Sequence, residues 1–395
     1  MTPSIKRMVL AQFFRCLFFG GPIVVLFLLD KGLELPEILA LSSVLLITGI
    51  IFEIPTGVFA DRYGRKWSMV AGSAASALGY GLWLLADNFW GFAGVHIVFG
   101  LANAFWSGAD QALIYDELKA IGKQNLAQKI FSKYDAVTSA AFAVAALVGG
   151  FMTIQHDLAH YYPVFYLTLA ASVVGLVVLL SIRESHPTEE AREIIRQDSS
   201  ALLRFGVGFK LLRRNAKLLR IVAFSVLTVS FALGDLSQPY FVQTNVPTVW
   251  YGLELALATG LGVLFSLYAY RLEEWFGVER AVLIIAVVPG IFWLVMSFIF
   301  GPVGAILLVL LGDAWGSFRS PILSDYQNRH ITGSQRATVL STFSLLNNVY
   351  VAVMLPVVGL LAQHSLPQAF LLMGGLILVA TMLFRIRDKD LVVAN

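Results

Sequence analysis

Apolar runs of about 20 residues recur along the whole chain and restrict its folding options more than any other feature. A helix of that length rises about 30 Å, which matches the hydrocarbon core of a bilayer. With 58% hydrophobic and 13% charged residues, the chain is far more apolar than a soluble protein, where about 25% of residues are charged. The sequence predicts an all-α integral membrane protein with twelve transmembrane helices, at 8–29, 37–59, 67–87, 91–113, 134–154, 162–182, 219–241, 250–271, 280–300, 302–323, 341–362 and 367–385.

Basic residues are distributed unevenly over the predicted loops and termini. If both termini are cytosolic, all of the 28 lysines and arginines fall on the cytosolic side except Arg15, Lys31 and Arg319. Because cytosolic loops retain positive charge, this predicts a multi-pass protein of the cytoplasmic membrane with cytosolic termini. The net charge of +3 says little about nucleic-acid or acidic partners, and the single cysteine allows no intrachain disulfide.

A long polar stretch divides the chain into two similar parts. We predict an N-terminal six-helix bundle at 1–182, a cytosolic linker at 183–217 and a C-terminal six-helix bundle at 218–395. The constant offset of an internal repeat predicts that the bundles are parallel copies. A shift of 209 residues superposes Trp106 on Trp315, Asp116 on Asp325, Ser132 on Ser341 and Gly150 on Gly359.

The loop after the second span has the most informative short pattern. It reads Gly57-Val58-Phe59-Ala60-Asp61-Arg62-Tyr63-Gly64-Arg65-Lys66. This Gly-x-x-x-Asp-Arg-x-Gly-Arg-Lys pattern resembles the signature loop of the major facilitator superfamily of transporters, with an ordinary positive turn as the alternative. The resemblance implies two bundles that alternately open a central site. It also implies a latch, formed by Gly57, Asp61, Arg62, Gly64, Arg65 and Lys66.

Ionisable side chains within the spans are functional candidates because burying a charge in hydrocarbon is costly. Arg15 and Glu53 each lie about 12 Å from a cytosolic helix end, which predicts a buried ion pair with either a structural or a proton-dependent role. Asp110 and Arg319 occupy equivalent positions in the repeat. We expect them to form a gate on the cytosolic side, unless each points separately into a wet cavity.

Asp313 and Asp235 are the main candidates for proton coupling, with Glu53 and Asp110 as further candidates. Asp313 and Asp235 both lie deep in their spans without a basic neighbour in sequence. Asp235 is nearer the outer surface, and the alternative is that it faces water there. A carboxylate removed from water takes up a proton more readily and releases it when water or a cationic solute arrives. The resemblance implies that helices one, four, seven and ten line the central cavity.

Aromatic residues make up 13% of the chain and indicate the kind of solute. Trp106, Trp315, Phe318 and Tyr240 are the predicted cavity residues, with helix packing or lipid contact as the alternative for each. Aromatic faces combined with a few acids favour an amphipathic or cationic solute.

Together these features predict a secondary transporter that exports a small amphipathic or cationic solute by proton-coupled alternating access. The run Ala146-Leu147-Val148-Gly149-Gly150 resembles part of the glycine-rich motif of drug exporters, but lacks its proline. The alternative is a proton-coupled uptake symporter or a lipid flippase on the same fold. A membrane-embedded sensor or enzyme would need a regulatory domain or catalytic cluster that the sequence lacks.

The expected partners follow from this prediction. We expect a small-molecule solute and the lipid bilayer as partners, no nucleic acid, and a monomer. No enzymatic activity or cofactor is expected, with the proton gradient as the energy source, because the sequence has no phosphate-binding loop and no nucleophile motif. No metal site is expected either, since a single cysteine provides no thiolate metal cluster.

Overall fold

The computed structural model describes residues 2–154, 158–182, 209–210, 212, 215–299, 301–330 and 336–385. These residues form helices and connecting turns, with no strand among them. Nine helices in this part of the chain are long and apolar enough to cross a membrane. The all-helical membrane fold is therefore confirmed, whereas the count of twelve spans is not.

The first half of the chain begins with two short helices, and a third short helix follows later. Its helices are α1 (Pro3–Arg15), α2 (Val24–Asp30), α3 (Leu35–Tyr63), α4 (Arg65–Trp83), α5 (Phe89–Trp106), α6 (Ala109–Ala120), α7 (Ala127–Met152) and α8 (Leu158–Leu180). The second half also begins with two short helices, but its third short helix stands at a different place in the order. Its helices are α9 (Ala216–Leu227), α10 (Leu233–Gln243), α11 (Val249–Leu267), α12 (Ala269–Phe276), α13 (Val278–Met296), α14 (Pro302–His330), α15 (Arg336–His364) and α16 (Leu366–Leu383).

Besides the one-residue break at Tyr268 in the eighth predicted span, three predicted spans are interrupted within the apolar run. The first is divided between α1 and α2, the fourth between α5 and α6, and the seventh between α9 and α10. Gly108 precedes α6 with a φ of 73°, and Ala232 precedes α10 with a φ of 63°. Glycine adopts this left-handed conformation freely, whereas alanine pays roughly 1 kcal/mol for it. The interruption before α10 is therefore held by its surroundings.

Side chains satisfy backbone groups that the interruptions release. Between α1 and α2, the amide of Phe19 donates to the hydroxyl of Thr168 at 3.1 Å. At the end of α5, the hydroxyl of Ser68 donates to the carbonyl of Phe105 at 2.7 Å. Such partners are required in hydrocarbon, where no water replaces a missing helical hydrogen bond.

The helices form two compact units. Unit 1 comprises Met1–Leu33, Val44–Ser199 and Tyr251–Ala256, and unit 2 comprises Glu34–Ser43, Ser200–Trp250 and Leu257–Asn395. The first turns of α3 therefore belong to unit 2, and those of α11 belong to unit 1. The predicted bundle boundaries stay a prediction, because most of the predicted linker lies outside the described residues.

Each unit has its own apolar core, and these cores fix the helices that bear the charged residues. The core of unit 1 brings together α1, α5, α6, α7 and α8, through residues that include Met8, Trp106, Ile114, Tyr134 and Leu179. The core of unit 2 brings together α9, α13, α14 and α15, through residues that include Phe224, Ile285, Ile322, Tyr326 and Phe343.

The glycines matched by the repeat occupy equivalent packing positions. Gly150 on α7 lies against Gly252 in the first turn of α11, and a Cβ at Gly150 would stand 2.7 Å from the Cα of Gly252. Gly359 on α15 lies against Pro36 in the first turn of α3, and a Cβ there would stand 2.8 Å from the Cα of Pro36. The repeat read from sequence therefore corresponds to a shared packing contact, one in each unit.

Substitution of Gly150 tests this contact. We expect Gly150→Ala to lower the free energy of unfolding by about 1–3 kcal/mol, because the added methyl group would collide with the backbone of α11. Thermal unfolding in detergent measures the effect. Gly316→Ala on α14 is the control, since its Cβ would meet nothing within 4 Å. Equal melting temperatures for the two variants would contradict the packing requirement.

Candidate functional site

Arg15 is the last residue of α1, at the interruption of the first span. Its guanidinium group lies 4.4 Å from the centre of the Trp106 ring. It donates to Oε1 of Gln12 at 3.4 Å and to Oδ1 of Asn103 at 3.3 Å. A cation at a helix C-terminus complements the helix dipole, which explains why the chain tolerates an arginine here.

The predicted ion pair between Arg15 and Glu53 is not formed. The side chain of Glu53 is exposed, and no ion pair to it occurs among the described residues. The rise of 1.5 Å per residue gives the depth of a residue along a helix but not the direction of its side chain. Arg15 and Glu53 therefore have similar estimated depths along their helices, but they do not form an ion pair.

Asp110 lies in the first turn of α6, two residues after the left-handed Gly108. Its Oδ1 accepts the backbone amide of Gln111 at 2.7 Å. The carboxylate thus lies at the positive end of a helix dipole, which stabilises its charge. Interruption of the fourth span gives Asp110 a local structural role in addition to any role in the predicted gate.

Arg319 on α14 binds the end of α9. Its Nη1 donates to the carbonyl of Thr228 at 3.1 Å and to the hydroxyl of Thr228 at 3.2 Å, and its Nη2 donates to the carbonyl of Ser225. The last carbonyls of a helix lack intrahelical partners, and a guanidinium group satisfies two of them at once. Asp110 and Arg319 lie in different units, and their contact as a gate stays a prediction.

The two main proton-coupling candidates both lie in unit 2. Asp235 is in the first turn of α10, where its Oδ1 accepts a long hydrogen bond of 3.5 Å from the hydroxyl of Ser42. Asp313 lies on the uninterrupted α14, about 16 Å along the helix from Pro302. Both side chains are partly buried, and neither forms an ion pair within the described part of the chain.

These two acids lie on helices that pack together. Gly312, the neighbour of Asp313, lies against Leu233, the first residue of α10. The interruption before α10 is further anchored by Trp293, whose Nε1 donates to Oγ of Ser230 at 2.9 Å. The carboxylates are therefore held on a fixed framework in which the end of α9, the start of α10 and the middle of α14 meet.

The predicted cavity aromatics have several different surroundings. Trp106 is buried beneath Arg15. Phe318 stacks on Phe265 at 4.5 Å and meets Trp315 edge-on at 5.0 Å, so these rings pack mainly against one another. Tyr240 is fully buried and donates to the carbonyl of Ile299 at 2.5 Å. In this structure Tyr240 packs in the helix core of unit 2 and lines no open surface.

The latch residues lie where α3 meets α4. Gly64 has a φ of 102° and separates the two helices, which accounts for glycine at this position. Asp61 in the last turn of α3 pairs with Arg65 in the first turn of α4, at 3.8 Å between Oδ1 and Nη2. A Cβ at Gly57 would meet nothing within 4 Å, so no close contact in the described part of the chain accounts for glycine at this position.

The remaining cations of the latch pair with aromatic rings. The guanidinium of Arg62 lies 5.4 Å from the Tyr63 ring, and Nζ of Lys66 lies 5.1 Å from the Trp67 ring. In the second half, Gly277 with a φ of 76° occupies the equivalent position between α12 and α13. The backbone turn is therefore repeated in both halves, although the charge pattern is not.

Comparison with known proteins decides the family. The sequence profile of the Major Facilitator Superfamily matches residues 8–330. The chain belongs to the Major Facilitator Superfamily.

Relatives of this transporter agree with the assignment. The uncharacterized MFS-type transporter YxaM of Bacillus subtilis is 22% identical over 387 residues, covering 94% of this chain and 93% of the relative. The multi-drug resistance efflux pump PmrA homolog of Lactococcus lactis is 26% identical over 354 residues, covering 82% and 80%. The solved nucleoside transporter NupG is 16% identical with a TM-score of 0.80, covering 97% of this chain and 98% of NupG. That structural likeness shows the fold alone.

Several residues that support the charges of this transporter were missed by sequence reasoning. They are neutral groups: the side chains of Gln12 and Asn103 at Arg15, of Ser42 at Asp235 and of Thr228 at Arg319, and the backbone carbonyl of Ser225, also at Arg319. Single polar residues are common in apolar runs, so each one alone carries little signal. A useful signal was available in Ser107-Gly108, since such a pair marks a helix interruption.

Replacement of Arg319 tests its role at the end of α9. We expect Arg319→Gln to lower the free energy of unfolding by about 1–3 kcal/mol, because two buried carbonyls lose their partner. Arg319→Lys should recover part of the loss, since one ammonium group does not span both carbonyls. Thermal unfolding with Arg280→Gln, an exposed arginine on α13, as control measures the difference. An equal melting temperature for Arg319→Gln and the control would contradict this role.

Replacement of Asp61 separates stability from conformational bias. Because the Asp61–Arg65 pair is partly exposed, we expect Asp61→Asn to change the free energy of unfolding by less than about 1 kcal/mol. A change of this size in the free-energy difference between the inward-facing and outward-facing states would change the ratio of their populations by roughly twofold to fivefold. We expect Asp61→Asn to raise the labelling rate of a Gln111→Cys probe in a Cys16→Ser background, because loss of the latch favours the inward-facing state. The rate is measured with an impermeant maleimide on inside-out vesicles.

The control for this latch experiment is Glu274→Gln, in the equivalent region of the second half. It should leave the labelling rate unchanged. If Asp61→Asn also leaves the labelling rate unchanged, the latch has no influence on the conformational equilibrium.

Proposed function

We propose that this transporter exports a small amphipathic solute across the cytoplasmic membrane in exchange for protons. The observation that carries the proposal is the presence of two partly buried carboxylates, Asp235 and Asp313, without an ion-pair partner among the described residues. A carboxylate in such surroundings changes protonation when its hydration changes, which couples proton movement to opening and closing.

Asp235 and Asp313 have different surroundings, and we assign them different roles in proton coupling. Asp235 is tied to a helix N-terminus and to Ser42, both of which stabilise its charged form. Asp313 lies within a continuous helix and has no described hydrogen-bond partner. Asp313 is therefore the main proton carrier in this proposal, and Asp235 is the second candidate.

Alternating access supplies the transport cycle. In this family, two repeats open a central site to each side in turn. The Asp61–Arg65 pair and the predicted Asp110–Arg319 gate would favour the outward-facing state, whereas protonation of the carboxylates would change the preference. The named efflux function of the Lactococcus lactis relative supports the outward direction. The arrangement of basic residues supports cytosolic termini in a plasma-membrane protein.

Solute-driven proton flux tests the proposal. The purified transporter is reconstituted in liposomes with a pH-sensitive dye inside, and a panel of amphipathic solutes is added under an imposed proton gradient. We expect Asp313→Asn to abolish the proton flux that an active solute causes, because an amide does not carry a proton. Glu274→Gln, an exposed acid of the same unit, is the matched control.

The outcomes separate the parts of the proposal. Retained proton flux in Asp313→Asn excludes Asp313 as the carrier, and Asp235→Asn is then the decisive variant. If protons and solute move in the same direction, the protein is an uptake symporter and the proposed export is wrong. Transport of solute without proton flux would refute proton coupling.

A further inference from the structure

We propose that Arg15, together with Asn103, recognises an anionic oxygen group of the transported solute, either a carboxylate or a phosphate. The proposal rests on the transport function proposed above and narrows its substrate class. It assigns a binding site within unit 1, separate from the acids of unit 2.

No carboxylate among the described residues neutralises the charge of Arg15. Within the described residues, its hydrogen-bond acceptors are the neutral amides of Gln12 and Asn103, and no carboxylate lies within 4 Å of its nitrogens. Glu53, the expected counter-ion, is exposed and unpaired in this part of the chain. A cation at membrane depth without a counter-ion is costly, and an anionic ligand removes that cost.

The guanidinium group of Arg15 is preorganised. The buried Trp106 ring supports one face of the group. Gln12, which accepts one of its hydrogen bonds, is itself fixed by a 2.9 Å hydrogen bond to Thr138. A group already held in one orientation loses little conformational freedom when it binds a ligand.

One side of the Arg15–Asn103 pair is accessible at mid-membrane depth. Arg15 is partly buried and Asn103 is exposed. Arg15 lies about 18 Å along α1 from Pro3, and Asn103 about 21 Å along α5 from Phe89. Polar side chains at this depth face a water-filled cavity and not lipid, since lipid offers them no hydrogen-bond partner.

Arg15 and Asn103 are chemically complementary to an anionic oxygen group. The planar guanidinium presents paired N–H groups whose spacing matches two oxygens of a carboxylate or phosphate. The Asn103 carbonyl accepts from Arg15, so its amide NH₂ remains to donate to a further ligand oxygen. Only two of the five guanidinium N–H groups donate to described protein oxygens, which leaves donors for the ligand.

The same geometry weakens the case for a cationic solute. A cation would need an open aromatic face, but one face of Trp106 is already covered by Arg15. Trp315 and Phe318 pack against each other and against Phe265. An amphipathic anion, with its charged group at Arg15, fits these contacts better than a cation does.

A ligand panel tests the site by comparing classes of solute. The melting temperature of the purified transporter is measured with four arms: monocarboxylates, phosphomonoesters, quaternary amines and neutral sugars. We expect only anionic arms to raise it, and the better of the two identifies the oxygen group. Arg15→Gln should weaken the apparent affinity roughly tenfold or more, and Arg15→Lys less. Arg280→Gln, the same change at an exposed site, should leave it unchanged.

A second variant keeps the test valid if Arg15→Gln fails to fold. Asn103→Asp supplies a carboxylate where Oδ1 now lies 3.3 Å from the guanidinium. We expect this variant to melt at a higher temperature without ligand and to lose its response to the anionic arms, because its own carboxylate occupies Arg15. An unchanged response to anions in Asn103→Asp would overturn the proposal.

Other outcomes distinguish this site from the transport proposal. Stabilisation by quaternary amines that Arg15→Gln leaves intact would overturn the anion site, as would the absence of stabilisation by every anion tested. If a solute drives proton flux and Arg15→Gln does not weaken its transport, the anion site fails while proton coupling stands. If anions bind at Arg15 but drive no proton flux, the anion site stands and the proton-coupled exporter fails.

Discussion

Hydrogen bonding of the backbone at the interrupted helices is the constraint on which the rest of this structure depends. Within hydrocarbon, an unsatisfied amide or carbonyl costs several kcal/mol, so a helix can stop in mid-membrane only where other groups take over its bonds. Thr168, Ser68 and Arg319 do so at the three interruptions, each from a neighbouring helix of the same unit. Contacts between neighbouring helices thus also supply the hydrogen bonds that the backbone needs where a helix ends.

The charges within the membrane follow from that constraint. Arg15 ends a helix and Asp110 and Asp235 begin one, so each meets a helix dipole of the opposite sign. Arg319 uses its charge on the free carbonyls of another helix. Asp313 has neither kind of support, and it is the residue in this group whose charge is least compensated by the fold.

Sequence reasoning predicted the helices well because burial of an apolar run depends mainly on local composition. It also found the repeat, since Gly150 and Gly359 occupy matching contacts. It failed where direction mattered: Arg15 and Glu53 were paired by depth, but rise along a helix says nothing about side-chain direction. It missed the interruption before α10 because the apolar pattern continues through Ala232, whose left-handed conformation depends on tertiary contacts.

Each unit includes a short segment from the other half of the chain, so neither unit is complete until both halves have been synthesised. Unit 1 is completed by Tyr251–Ala256, which are synthesised long after the rest of it, and unit 2 uses Glu34–Ser43, which are synthesised long before. A chain severed in the linker would give two fragments that each lack a short piece of their own packing. Neither fragment is then a self-sufficient folding unit, and co-expression of both would be needed to restore the contacts at Gly150 and Gly359.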